Sequence, residues 1–133
     1  MIYWFTGQPG HGKTVLANML KEIKPKAFRI DGDEMRELFT NKDYSITGRV
    51  SNVGTAQGHD VIVSLVSPYV DQREDFKKLM GDGLIEIYVH TTAERERDHF
   101  KAIGYVPPKE NFIDIDTTFD SPHESLEKIL KEI

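Results

Sequence analysis

The chain contains no cysteine. That excludes a disulfide frame, a thiolate metal site and a thiol nucleophile at once. Positive charge is also in short supply. Seventeen Lys and Arg stand against 22 Asp and Glu, for a formal charge of −5. Such a balance argues against a broad nucleic-acid footprint, while a local basic pocket for a small anion stays open. No apolar run approaches the ~20 residues needed to cross a bilayer, so no membrane partner is expected. The N-terminus has no basic segment ahead of an apolar one, so no signal peptide is expected and a cytoplasmic location is. Repeats, linkers and low-complexity tracts are missing too. The 133 residues are therefore expected to form a single domain, 1–133, large enough to bury a core. His11, His59, His90, His99 and His123 share no metal-ligand spacing, which leaves no zinc site to assign.

What is present begins with Gly7-Gln8-Pro9-Gly10-His11-Gly12-Lys13-Thr14. The run fits the phosphate-loop pattern GxxxxGK[ST] at every required position, with His11 at a position the pattern leaves free. Residues 2–6 ahead of it are apolar, β-branched and aromatic, and read as a buried strand. Behind it, Val15, Leu16, Met19, Leu20 and Ile23 recur at helical spacing. In a strand, glycine loop and helix of this kind, backbone N–H groups and a helix N-terminus converge on a phosphate chain. The chain is expected to bind a nucleoside triphosphate. Lys13 would reach the outer phosphates, and the Thr14 hydroxyl would hold magnesium.

The remaining punctuation extends the pattern. The first helix, 13–23, should stop at Lys24-Pro25. A second strand, 27–30, runs into Asp31-Gly32-Asp33, and Asp33 would cap a helix to about Phe39. A weak helix over 46–57 should end at Gly58. Residues 60–66 form the clearest strand, nearly continuous in apolar residues. Asp71 and Glu74 look like a capping pair for a helix carrying Phe76, Leu79 and Met80 and closed by Gly81. A fourth strand covers 84–89, and Thr91 with Glu94 would open a charged helix over 93–98. Residues 99–111, with Gly104, Pro107 and Pro108, read as a lid or loop. A fifth strand, 112–116, precedes a helix started by Ser121, Pro122 and Glu124, with Leu126, Ile129, Leu130 and Ile133 inward. The expected fold is α/β, a three-layer P-loop fold with a five-stranded parallel sheet, helices on both faces and a short lid. Ligands in such folds sit at the carboxyl ends of the strands. Residues 7–14, 31–36, 67–69, 90–92 and 116–118 should therefore surround one crevice.

Several residues there suit phosphoryl transfer. A carboxylate beside the phosphate loop, Asp31 or Asp33, holds magnesium or orients a hydroxyl toward the γ-phosphate. Arg36, one turn beyond Asp33, has a fork that matches sulfate, phosphate or carboxylate. Arg49 and Asn52 share a helix face. Ser67 and Tyr69 are placed to line the acceptor site. Arg73, Arg95 and Arg97 are candidates to supply charge to the transferring group, the last two at the mouth of the lid. The remaining lysines and glutamates read as a solvated face. A GTPase is excluded because Asn41-Lys42-Asp43-Tyr44 follows the wrong strand and ends in tyrosine. A motor ATPase is disfavoured because the 61–66 run ends in Ser67 and not in an acid. A small-molecule kinase and a nucleotide-binding module without transfer both remain.

The run of motifs resembles the adenylylsulfate kinase family, which phosphorylates the 3′-hydroxyl of adenosine 5′-phosphosulfate. Asp31-Gly32-Asp33 with Arg36 is similar to that family's DGDxxR stretch, and Val66-Ser67-Pro68-Tyr69 to its [IV]SPY strand end. Arg97-Asp98 resembles the pair opening its lid, and Asp116-Thr117-Thr118 its DTT. The resemblance implies ATP and Mg2+ as cofactors and a small nucleotide as substrate. It implies Asp33 as base and metal partner beside Lys13, and Arg97 with residues 7–14 on the ATP side. Asp31, Arg36, Arg49, Asn52, Ser67 and Tyr69 would form the acceptor side, with Tyr44 stacking on the acceptor's adenine. A homodimer is implied as well. Gly54-Thr55 and Val70 stand where the family carries arginines, and the helix before the third strand and the lid are shortened.

Overall fold

The computed structural model describes residues 1–8, 12–31, 58–64, 70–92 and 106–133, with the backbone alone for 70–72. Among the described residues there are five strands and three α-helices. They are β1 (Ile2–Thr6), α1 (Lys13–Ile23), β2 (Phe28–Asp31), β3 (Val61–Ser64), α2 (Val70–Met80), β4 (Leu84–His90), β5 (Phe112–Asp116) and α3 (Pro122–Glu132). A short 3₁₀ turn, Gly81–Gly83, joins α2 to β4. The strands form one sheet in the order β2-β3-β1-β4-β5, with every pairing parallel. Ile2 stands opposite Val61 on one side and Leu84 on the other, so β1 is the central strand.

Side-chain alternation assigns the two faces. Tyr3, Phe5, Ile62, Ile87, Val89 and Ile115 pack with Leu16, Ala17 and Leu20 of α1 and Leu126 and Ile129 of α3. Ile2, Trp4, Ile30, Val61 and Val63 point the other way, where Phe76 and Met80 of α2 cover them. Trp4 meets Phe76 edge-on at 4.8 Å. All five residues of β1 and all four of β3 are buried, as a strand covered on both faces requires. This is the expected three-layer α/β arrangement.

The inward stripes are narrower than the spacing predicts. Leu16, Ala17 and Leu20 bury, whereas Val15 and Ile23 are half exposed. Val15 falls on the far side of the cylinder, and Ile23 sits at its last residue, off the stripe that Ala17 brings close to the sheet. In α3 the stripe is Ser125, Leu126 and Ile129; Leu130 lies at its edge and Ile133 beyond the last turn, both in contact with solvent. Leu79 of α2 is 73% exposed, because Phe76 and Met80 already fill the space above Trp4 and Ile2. Residue 71 lies within the described part of α2, and Glu74 pairs with Lys77 at 3.2 Å. The box at α3 does form, with reciprocal bonds between Ser121 and Glu124. Gly81, at φ 55°, closes α2 as expected. The helices expected over 33–39, 46–57 and 93–98 lie outside the described residues.

Candidate active site

β1 delivers Gly7 to its carboxyl end against the backbone of β4. A Cβ on Gly7 would lie 2.2 Å from the Val89 carbonyl oxygen, so no side chain fits. At the far end of the loop Gly12 takes φ 103° and forms the N-cap of α1, supplying no side-chain acceptor. The first turn of α1 holds no acidic residue. The positive end of the helix dipole at this terminus suits a bound anion. Lys13, the first helical residue, is 4% exposed, and Thr14 beside it is exposed.

The opposite wall of the loop is the corner where β4 and β5 end. Thr117 donates its amide (2.8 Å) and its hydroxyl (3.2 Å) to the His90 carbonyl. Its methyl lies 3.8 Å from where a Gly12 Cβ would stand, so corner and loop touch. Thr118 locks the two strand ends together. Its hydroxyl donates to Asp116 (2.6 Å), accepts from the Thr92 amide (2.9 Å) and lies 3.2 Å from the Thr91 hydroxyl. The Thr118 amide also donates to Asp116, at 2.9 Å. Hydrogen bonds from the Thr118 hydroxyl, then from its amide, hold the Asp116 carboxyl below the ordinary aspartate range. Of the residues expected around the crevice, Gly7, Gln8, Gly12, Lys13, Thr14, His90, Thr91, Thr92, Asp116, Thr117 and Thr118 are described, and the loop meets the corner where Gly12 approaches Thr117.

Asp31 ends β2, two strands from β1, half-buried and in register with Ser64 of β3. The neighbouring Arg29 ties this side of the sheet to α1, donating to Ser64 Oγ at 2.6 Å and to Asn18 Oδ1 at 3.0 Å. Thr14 and Asp31 are hard oxygen donors. Magnesium takes one or two such groups plus substrate phosphates, so it needs no dedicated protein cage. The donor types present fit it, and among the described residues no cluster of three or more His, Asp or Glu offers a different metal a home. Pro9, Gly10, His11, Asp33, Arg36, Tyr44, Arg49, Asn52, Ser67, Tyr69, Arg95 and Arg97 lie outside the described residues.

One candidate is relocated. Arg73 is 1% exposed and lies beneath β4, with Nε 3.5 Å from Glu86 and a guanidinium N–H donating to the Val106 carbonyl. Lys77 completes the group, 2.8 Å from Glu86 and 2.8 Å from the Glu110 carbonyl. Arg73 is therefore a structural cation, not one that faces a transferring phosphoryl group. Nor are Glu86 and Lys77 part of a solvated face. Two further residues, Tyr88 and Asp114, went unread in the sequence, and both engage His90. His90 stacks on Tyr88 (ring centroids 4.7 Å) and pairs with Asp114 at 2.8 Å. Burial first, then the Asp114 charge, raises the Tyr88 phenol above its usual range. The period of two along β4 and β5 was the available signal, since it puts Tyr88, His90 and Asp114 on one face.

Residues 1–128 match the family described as adenylylsulphate kinase. The adenylyl-sulfate kinase of a Picosynechococcus strain is 31% identical, covering 98% of this chain and 91% of its own. That of Thermodesulfovibrio yellowstonii is 30% identical, covering 99% and 82%. Among solved structures, an APS kinase of Mycobacterium tuberculosis superposes with a TM-score of 0.68 at 23% identity, covering 98% of this chain and 94% of its own. A gluconokinase of Sinorhizobium meliloti reaches 0.64 at 15% identity, covering 97% and 89%, so the fold itself serves more than one acceptor. The match over nearly the whole length, on a sheet and phosphate loop of this geometry, means that the chain belongs to the adenylylsulphate kinase family of P-loop phosphotransferases.

Proposed function

We propose that the protein transfers the γ-phosphoryl group of ATP to the 3′-hydroxyl of adenosine 5′-phosphosulfate, giving 3′-phosphoadenosine 5′-phosphosulfate for sulfate assimilation. The observation that carries the reading is the phosphate cradle. Gly7 lies against Val89, Gly12 takes a left-handed conformation as the N-cap of α1, and buried Lys13 opens the helix. The acceptor comes from the family and from the matching stretches 31–36 and 66–69.

In this reading the loop amides and Lys13 take up the charge that spreads over the transferring group. Asp33 accepts the proton of the 3′-hydroxyl as its oxygen bonds to the γ-phosphorus, the bond to the β–γ bridging oxygen breaks, and ADP leaves with that oxygen. Bound magnesium, held by Thr14 and Asp33 with water, would neutralise phosphate charge. Arg97 joins the ATP side; Asp31, Arg36, Arg49, Asn52, Ser67 and Tyr69 orient the acceptor, and Tyr44 stacks on its adenine. The working unit is a cytoplasmic homodimer, and sedimentation at micromolar concentration tests the assembly. The transfer is tested with γ-labelled ATP and magnesium, offering adenosine 5′-phosphosulfate beside a panel of other nucleotides. Label in the 3′-phosphorylated product supports the proposal. Label in a different acceptor keeps the kinase and discards the substrate, an outcome to which Gly54, Thr55 and Val70, standing in place of arginines, give weight. Binding of ATP with no transfer to any acceptor would leave a nucleotide-binding module.

A further inference from the structure

Phe119 is 95% exposed, more than any other large apolar side chain among the described residues. An aromatic ring left in water gives up the burial that stabilises others like it. The ring is not on a loose tip. On its N-terminal side Thr118 is fixed by Asp116, Thr91 and Thr92. On its C-terminal side Asp120 pairs with Lys128, and Ser121 makes the capping box that starts α3. The backbone carrying Phe119 is thus held from both sides, two residues from the Thr117 methyl that touches the phosphate loop at Gly12.

We infer that Phe119 is a stacking platform for the purine base of the nucleotide whose phosphates lie on the loop. The inference rests on the phosphate-loop reading above and adds to it a specificity-determining residue. A nucleoside triphosphate anchored by its phosphates must project its base away from the loop. The β4–β5 corner is the wall of the loop that the described residues supply. An aromatic ring on a fixed backbone beside that wall is the group a base recognises, because it offers a π surface within reach of the anchored nucleotide. Such an arrangement favours a purine over a pyrimidine by contact area and leaves the phosphates to the loop. The sequence alone gives no sign of it, since a lone phenylalanine between Thr118 and Asp120 looks like any turn residue.

The test compares calorimetric binding of magnesium ATP and of magnesium tripolyphosphate to the whole chain and to F119A and F119Y. Phe119 makes so few contacts that neither variant threatens the fold, and circular dichroism checks this. The expected result is about tenfold weaker ATP binding by F119A, tripolyphosphate binding within twofold of the parent, and ATP affinity restored in F119Y. In turnover, the KM for ATP should rise with kcat and the acceptor KM unchanged. Equal ATP affinity in F119A and the parent would overturn the stacking role, as would an equal loss of both ligands. A parent chain that binds neither ligand would overturn the phosphate-loop reading itself, and the inference with it.

Discussion

In the proposed reaction Gly7 would give the phosphate loop its shape and Lys13 its charge. With the Val89 carbonyl 2.2 Å from where a Cβ would go, Gly7→Ala must push β1 and β4 apart at their carboxyl ends. Urea titration should read a loss of at least about 2 kcal/mol, the scale of a strained backbone plus a clash. Lys13→Ala alters no backbone constraint, so it should keep most of the stability and lower phosphoryl transfer about 100-fold or more. A Lys13→Ala enzyme at near-parent turnover would remove that residue from the mechanism. Asp116 makes a different kind of prediction. Its folded carboxyl titrates below the unfolded value because Thr118 donates to the ionised form. The stability this adds is complete above the unfolded aspartate pKa of about 3.9 and is lost as pH falls through the lowered folded value. Carbon-detected NMR titration should place Asp116 below the ordinary range, and Thr118→Val should move it upward. An unchanged midpoint in that variant would deny the cause assigned here.

At the scale of elements, charge was the hardest feature to read. The near-continuous apolar runs of β1 and β3 and the glycines at 7, 12 and 81 were legible because strands buried on both faces and left-handed turns admit few residue types. The sides of α1 and α3 were only partly so. Helical spacing marks Val15 and Leu130 as apolar, but leaving one such residue near solvent costs little, and the sheet's curvature decides how wide a stripe it covers. Arg73, Lys77 and Glu86 lay beyond sequence reasoning for a stronger reason. Whether a charge is buried depends on a partner on another element, and nothing in α2 alone announces Glu86 of β4. Glu86→Gln would leave two cations under the sheet without their counter-charge, which should cost about 3–5 kcal/mol in denaturant unfolding. The KM for ATP should stay near its parent value, because the network lies on the α2 face and away from the loop. A large rise in that KM with unchanged stability would return Arg73 to the active site.

The whole molecule couples these parts through one sheet, so nucleotide binding should be visible as global stability. At about 100 times its dissociation constant, ATP adds about 2.7 kcal/mol to the folded state, enough to raise the Tm by several degrees in a chain of this size. Scanning fluorimetry should show that rise in the parent and lose most of it in Lys13→Ala; the same shift in both would detach ligand binding from the loop. The strand order also governs how the chain reaches its fold. β1 is the first strand made and the middle one in space, and its partners around Val61 and Leu84 come much later in the sequence. At roughly 5–20 residues per second of synthesis, the run Ile2–Thr6 waits on the order of several seconds with no neighbour on either edge. The nucleation step is therefore a long-range closure, slow by contact order. During that wait the phosphate loop has no floor, and the apolar strand that will carry it stands open to water on both edges.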